Sequence, residues 1–147
     1  MSKRRMHRLL VAVDGSDSAK HGLKHALKLA KEHGNMELHL LTVHPEPMIY
    51  GEIQVYVPRE KMEELQKLHS MDILQPAIDA AKSAGVRFKS EVLAGSTAPT
   101  IVKRAEELDC IGIVMGTRGM GAIGNLVMGS VATKVVHLTK LPVTLVK

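Results

Sequence analysis

The stretch IVMGTRGMGAIGNLVMGSVA, residues Ile113 to Ala132, places an apolar run of strand character directly before a glycine-rich loop and a helical pattern directly after it. Gly116, Gly119, Gly121, Gly124 and Gly129 all fall inside it. One turn does not need that many glycines. Glycine lets backbone N–H groups approach an anion with no Cβ in the way, and the helix that follows offers unpaired N–H groups and the positive end of its dipole. Ser130, at the head of that helix, adds a hydroxyl donor. From Cys110 to Lys147 the chain has no Asp or Glu, while Arg118, Lys134 and Lys140 are cationic, so nothing local repels a phosphate. The stretch reads as a phosphate-binding loop between a strand and a helix.

Two common fingerprints can be forced onto this loop, and neither holds. Gly119, Gly121 and Gly124 spell G-x-G-x-x-G, but the dinucleotide motif belongs to the first βα unit and needs an acid about twenty residues on for the ribose. No acid follows. Gly124, Gly129 and Ser130 have P-loop spacing without the lysine that reaches the outer phosphates, which speaks against a P-loop hydrolase.

Outward from the loop, apolar runs at 9–13, 38–43, 86–93, 111–115 and 143–146 alternate with helical patterns, the signature of βα units feeding a mainly parallel sheet. Ala19, Leu23, Ala26, Leu27 and Ala30 mark one face of a first helix, which Gly34 is expected to end as a C-terminal cap. A second helix spans 59–84, with Met62, Leu65, Ile73, Ala77 and Ala80 toward one side and a kink or restart expected at Pro76. Ser96 or Thr97 should cap a third helix, with Pro99 in its first turn and Ile101, Val102, Ala105 and Leu108 inward. A last helix should run from about Ser130 to Thr139, before Pro142. The connection 44–58, with three prolines and a glycine, is the one long loop, of a length that is usually functional or mobile, and a lid or a partner surface is an open reading for it. No linker or repeat interrupts residues 1–147, and a single domain is expected.

Composition narrows the function classes. The chain has 147 residues, 45% hydrophobic and 24% charged, with a formal net charge of +5. That charge would suit an acidic partner, but the basic residues do not converge: Lys3, Arg4, Arg5 and Arg8 crowd the N-terminus, and Lys20, Lys24, Lys28 and Lys31 read as a solvated helix face. Tyr50, Tyr56 and Phe88 are the only aromatic residues, so base-stacking platforms are nearly absent and nucleic-acid binding is not expected. A single Cys110 excludes an intrachain disulfide and a cysteine-built zinc site, which suits a reducing compartment, and no run approaches the length of a signal core or a membrane span. A cytoplasmic location without membrane attachment is the expectation.

Asp14-Gly15-Ser16-Asp17-Ser18 follows the first strand. Ser16, Asp17 and Ser18 read as turn and N-cap, whereas Asp14, at a strand's carboxyl end, is a functional candidate. His21 and His25 have zinc-like spacing, yet Gly22 stands where a metalloprotease has Glu and no third ligand is visible, so they read as exposed histidines. Nothing marks Cys110 as an activated nucleophile.

Gly116, Gly119, Gly129 and Ser130 together spell G-x2-G-x9-G-S, and in this the chain resembles the ATP-binding universal stress proteins. The resemblance covers the whole chain, through LLVAVDGSDSA from Leu9, LKLAKEHG from Leu27, IVKRAEELD from Ile101, IVMGTRG from Ile113, GSVA from Gly129 and LPVTLV from Leu141. It departs at Ile111-Gly112, where the family usually has an Asp followed by an apolar residue. The resemblance implies a Rossmann-like fold of the adenine nucleotide alpha hydrolase type: five strands in the order 3-2-1-4-5, with helices on both faces. It implies that Ala12, Val13 and Asp14 line the adenine and ribose side, that Val43 offers backbone contact to the base, and that Gly116 lies near the ribose. Thr117, Arg118, Gly119, Met120, Gly121, Gly129, Ser130 and Val131 then surround the phosphates. ATP is the implied ligand, with magnesium carried on its phosphates near Asp14 and no metal site built by the protein alone. A homodimer through strand 143–146 and a regulatory protein partner complete the expectation. No catalytic base is evident, so hydrolysis should be slow at most. Two rival readings stand beside this one: an adenylating enzyme of the ATP pyrophosphatase type, suggested by GSDS at Gly15–Ser18, and a dimeric scaffold of the same family that binds no nucleotide.

Overall fold

The structure is a computed structural model that describes residues 6–45, 59–118 and 128–147. In chain order the elements are β1 (His7–Ala12), α1 (Asp17–Glu32), β2 (Met36–His44), α2 (Arg59–Ala84), β3 (Arg87–Ala94), α3 (Thr97–Glu107), β4 (Gly112–Gly116), α4 (Ser130–Leu138) and β5 (Val143–Val146). The strands form one sheet in the order β3-β2-β1-β4-β5, as the resemblance implied. Every neighbouring pair is parallel.

Side-chain alternation along each strand divides the core in two, because successive residues of a strand face opposite sides of the sheet. Leu9, Val11, Leu38, Leu40 and Val114 pack under α1 and α2, against Leu23, Ala26, Leu74 and Ala77. Leu10, Leu41, Ile113 and Met115 point the other way, under α3 and α4, against Ile101, Ala105, Ala132 and Val135. The central strands are buried on both faces, which is why they read as unbroken apolar runs.

Ser16 caps α1, its hydroxyl oxygen accepting from the Ala19 N–H at 3.2 Å. Gly34 does not end that helix: His33 is the cap, in extended conformation, and Gly34 is absent from the residues at positive φ. The left-handed glycine cap occurs instead after α2, where Gly85 at φ +70° lets its own N–H reach the Lys82 carbonyl and the Val86 N–H reach that of Ala81. The same motif ends α3 without glycine. Asp109 takes φ +57°, its N–H bonds to Glu106 and that of Cys110 to Ala105.

α2 runs through Pro76 as one element, not two. Pro76 is exposed, so water can satisfy the carbonyl one turn back that loses its donor. Leu65 is exposed, together with Leu68 and Met71, contrary to the inward face expected from its spacing. The part of α2 that packs into the core is its C-terminal half, through Ile73, Leu74, Ala77, Ile78 and Ala81. Ser96 occupies the cap position of α3 without a side-chain bond. The Ile111-Gly112 departure has a packing reason. A Cβ at Gly112 would lie 3.2 Å from the Pro142 carbonyl oxygen, which accepts the Ile113 N–H at the start of the β4–β5 ladder.

Candidate functional site

In an open α/β sheet the connections on either side of the first strand leave in opposite directions, and the carboxyl ends of the two strands at that reversal part to form a crevice. Here those strands are β1 and β4. A cavity of about 900 Å³ opens at this place, on the α3–α4 side of the sheet. Ala12, Val13 and Asp14 form its β1 wall and Val43, at the end of β2, lies beside them. Gly116 sits on the β4 wall, and Gly129, Ser130 and Val131, the head of α4, close the far side. Eight of the thirteen sequence-predicted site residues line the cavity in this way, Thr117 and Arg118 are considered below, and Gly119, Met120 and Gly121 lie outside the described residues.

The head of α4 is chemically open. Its cap position is Gly129, which has no side chain to satisfy the first N–H groups of the helix. Those donors and the dipole end stand at the cavity wall. Asp14 is the one carboxylate among the described lining residues, and its Oδ1 accepts the Ser16 N–H at 2.8 Å. This residue therefore serves the turn and borders the cavity at once. Lys134 also lines the cavity and supplies positive charge.

Thr117 and Arg118 are not among the lining residues; they form the root of the loop. Thr117 is buried, its N–H bonded to the Val146 carbonyl at 2.9 Å and its own carbonyl accepting the Gly129 N–H at 2.6 Å. That second bond brings entrance and exit of the loop together. The Arg118 carbonyl accepts from the hydroxyls of Ser16 at 3.1 Å and Ser18 at 2.5 Å, and the Arg118 N–H donates to Ser18 Oγ at 3.2 Å. Gly116 makes this approach feasible. A Cβ there would lie 2.6 Å from the Ala19 nitrogen and closer still to Ser18 Oγ.

Sequence reasoning missed several lining residues. Leu41 and Met115 belong to apolar strands and carry no polar signal, while Thr97 and Ile101 of α3 and Thr133 of α4 were legible only as helix. The double duty of Ser16 and Ser18 was also missed, since their bonds to Arg118 span about a hundred residues of sequence.

Below the cavity on the same face, His39 of β2 is buried and its Nε2 lies 2.7 Å from Glu91 Oε1 of β3. The same oxygen accepts from Arg104 Nε of α3. Burial by itself raises the Glu91 pKa, but the hydrogen bonds from Arg104 and His39 and their charges outweigh it and hold the carboxyl below its ordinary value. Cys110 is buried, and burial pushes its thiol up to about 11, the opposite of an activated nucleophile. His21 and His25 are both exposed, and His21 Nδ1 lies 2.7 Å from the Lys147 backbone oxygen. Among the described residues no group of three or more His, Cys, Asp or Glu is placed to hold a metal ion, and no helix is long and apolar enough to cross a membrane.

The model of the universal stress protein family matches residues 6–147. The universal stress protein YxiE of Bacillus subtilis is 33% identical over 147 residues, which cover 96% of this chain and 99% of that protein. The solved structure of the universal stress protein UspA from Lactobacillus plantarum has a TM-score of 0.84 at 22% identity, covering 99% of this chain and all of that one. A universal stress protein crystallised in complex with cAMP has a TM-score of 0.67 at 25% identity, covering 97% of each chain.

Proposed function

The chain belongs to the universal stress protein family, and from that premise we propose that it is an ATP-binding regulatory module of the stress response. The observation that carries this reading is the uncapped head of α4 opening onto a large cavity at the β1–β4 reversal. Base and ribose lie along Ala12, Val13, Asp14 and Val43, with Gly116 near the ribose. The phosphates lie against Gly129, Ser130 and Val131, and Gly119, Met120 and Gly121, which lie outside the described residues, are the further phosphate-binding residues that the family pattern implies. Because the Arg118 N–H is committed to Ser18, Arg118 contributes through its exposed guanidinium. The relative crystallised with cAMP supports an adenine nucleotide as the ligand class.

Lys134 and Arg118, with no Asp or Glu from Cys110 to Lys147, make each added phosphate favourable, so the triphosphate is preferred. Magnesium arrives with the phosphates, since a single carboxylate at Asp14 builds no cage of its own. Asp14 is also the only candidate base among the described lining residues, and no P-loop lysine is present. Turnover then falls far below ordinary enzyme rates, on the order of minutes or slower per event. Nucleotide state alters the surface around the cavity and so the affinity for a regulatory partner. The pyrophosphatase-type alternative is disfavoured because the hydroxyls of Ser16 and Ser18 are already engaged with Arg118 and Ala19.

The test is mass spectrometry of nucleotide released when the purified protein is denatured, followed by calorimetry with ATP and AMP. ATP bound at least about tenfold more tightly than AMP is the expected result. Equal affinities would overturn the phosphate assignment, and no binding of either would leave the scaffold reading in its place.

A further inference from the structure

We propose that Ser16 and Ser18 are positioning residues of the phosphate site: from the start of α1 they clasp the backbone N–H and carbonyl of Arg118 and so fix the root of the phosphate loop. Both residues are buried, at 7% and 8% exposure, and both hydroxyls are engaged within the protein. Ser16 Oγ accepts from Ala19 N–H and gives its own proton to the Arg118 carbonyl. Ser18 Oγ accepts from the Arg118 N–H and gives its proton to the same carbonyl. Each hydroxyl therefore has a donor and an acceptor partner, and the backbone N–H and carbonyl of Arg118 are both satisfied by the start of α1.

The consequence for the loop is geometric. Its entrance is held at Thr117 by β5 and at Arg118 by α1, and its exit is held at Gly129 by the Thr117 carbonyl. The chain between these points has its two ends fixed before any ligand arrives. Fixing them in advance lowers the ordering cost of binding, which is the general route from preorganisation to affinity. Gly116 belongs to the same device, because any side chain there would lift the first turn of α1 away from the loop root. The inference rests on the nucleotide-binding reading above and deepens it, by separating residues that would touch phosphate from residues that act only through Arg118.

The two claims are tested separately. Amide hydrogen exchange needs no ligand: the Arg118 N–H should be protected in the wild type and lose most of that protection in Ser18→Ala. Unchanged protection would overturn the clasp, whatever the protein binds. Calorimetry with ATP and with adenosine then tests positioning. Ser18→Ala should weaken ATP about tenfold, the effect of one or two lost hydrogen bonds, while adenosine affinity stays within about twofold. Ser16→Gly is the second variant, because glycine at an N-cap costs only a few tenths of a kcal/mol and so removes the hydroxyl with little damage to the helix start. It should show the same split, with a smaller loss for ATP. Equal losses for ATP and adenosine would mark the serines as merely structural and overturn the proposal, as would ATP affinity unchanged in both variants. A wild type that binds neither compound overturns the nucleotide reading and the positioning role together, while the exchange result still decides whether the clasp exists.

Discussion

At the scale of single residues, three glycines of similar appearance in the sequence have different structural reasons. Gly116→Ala places a methyl group 2.6 Å from the Ala19 nitrogen, a backbone atom that cannot swing aside, so a loss of about 1–3 kcal/mol is expected by chemical denaturation. Gly34→Ala meets nothing within 4 Å and needs no positive φ, so it should be neutral or stabilise by roughly 0.5 kcal/mol in the same assay. Gly129→Val should leave the circular dichroism spectrum unchanged but remove ATP binding in calorimetry, because a branched side chain at the cap of α4 would fill the space an anion needs. Undiminished ATP affinity in that variant would remove the basis of the site. The sequence made Gly129 legible through its place before Ser130 and a helix. It made Gly34 misleading, since a glycine after a helical run resembles a cap whether or not the backbone turns left-handed. For Gly116 the position was legible and the reason was not: the atoms that exclude a side chain come from α1, distant in sequence.

At the scale of elements, pattern reading succeeded where one face of an element decided its register and failed where tertiary partners did. The strands β1, β2 and β4 and the inward faces of α1 and α3 were legible from apolar spacing, because burial alone fixes them. Pairing of polar groups across β2, β3 and α3 was invisible, because His39, Glu91 and Arg104 are brought together only by the order of the sheet. This cluster ties α3, which carries Thr97 and Ile101 of the cavity wall, to the strands beneath it. Glu91 has a lowered pKa in the folded state, so its contribution is fully present above the ordinary glutamate range and is lost as pH falls through the lower folded value. Glu91→Gln should therefore cost about 1 kcal/mol near pH 7, after allowance for solvent screening of a partly exposed group. The difference from wild type should shrink as urea denaturation is repeated at successively lower pH below about 4.5. A difference that stays constant over that range would show that the charge of Glu91 is not what the cluster uses.

At the scale of the whole molecule, β5 ends the sheet beside β4, and we expect the protein to form a homodimer through it. The register decides which residues are available. The carbonyls of Pro142 and Val146 accept from Ile113 and Thr117, so in a parallel ladder the alternate residues 142, 144 and 146 direct their backbone groups inward to β4. Val143 and Leu145 then direct theirs to the edge of the sheet, where a ladder with no partner strand among the described residues invites a second chain. A two-fold axis beside the edge would pair the strand with its own copy, antiparallel and self-complementary, and close the assembly at two chains. Exposed Val136 and Leu138 at the end of α4 precede this strand and add apolar surface close to it in sequence. The informative proline is accordingly at 145 and not at 144. Leu145→Pro removes an outward donor, whereas Thr144→Pro would remove a bond to β4 and damage the fold itself. Leu145→Ala serves as the control for the lost side chain, which packs partly against the α3–α4 core. In sedimentation at micromolar concentration the wild type and Leu145→Ala should run as dimers of a 16.0 kDa chain, and Leu145→Pro as a monomer with retained helical dichroism. A monomeric wild type, or a dimer undisturbed by Leu145→Pro, would place the contact elsewhere or nowhere.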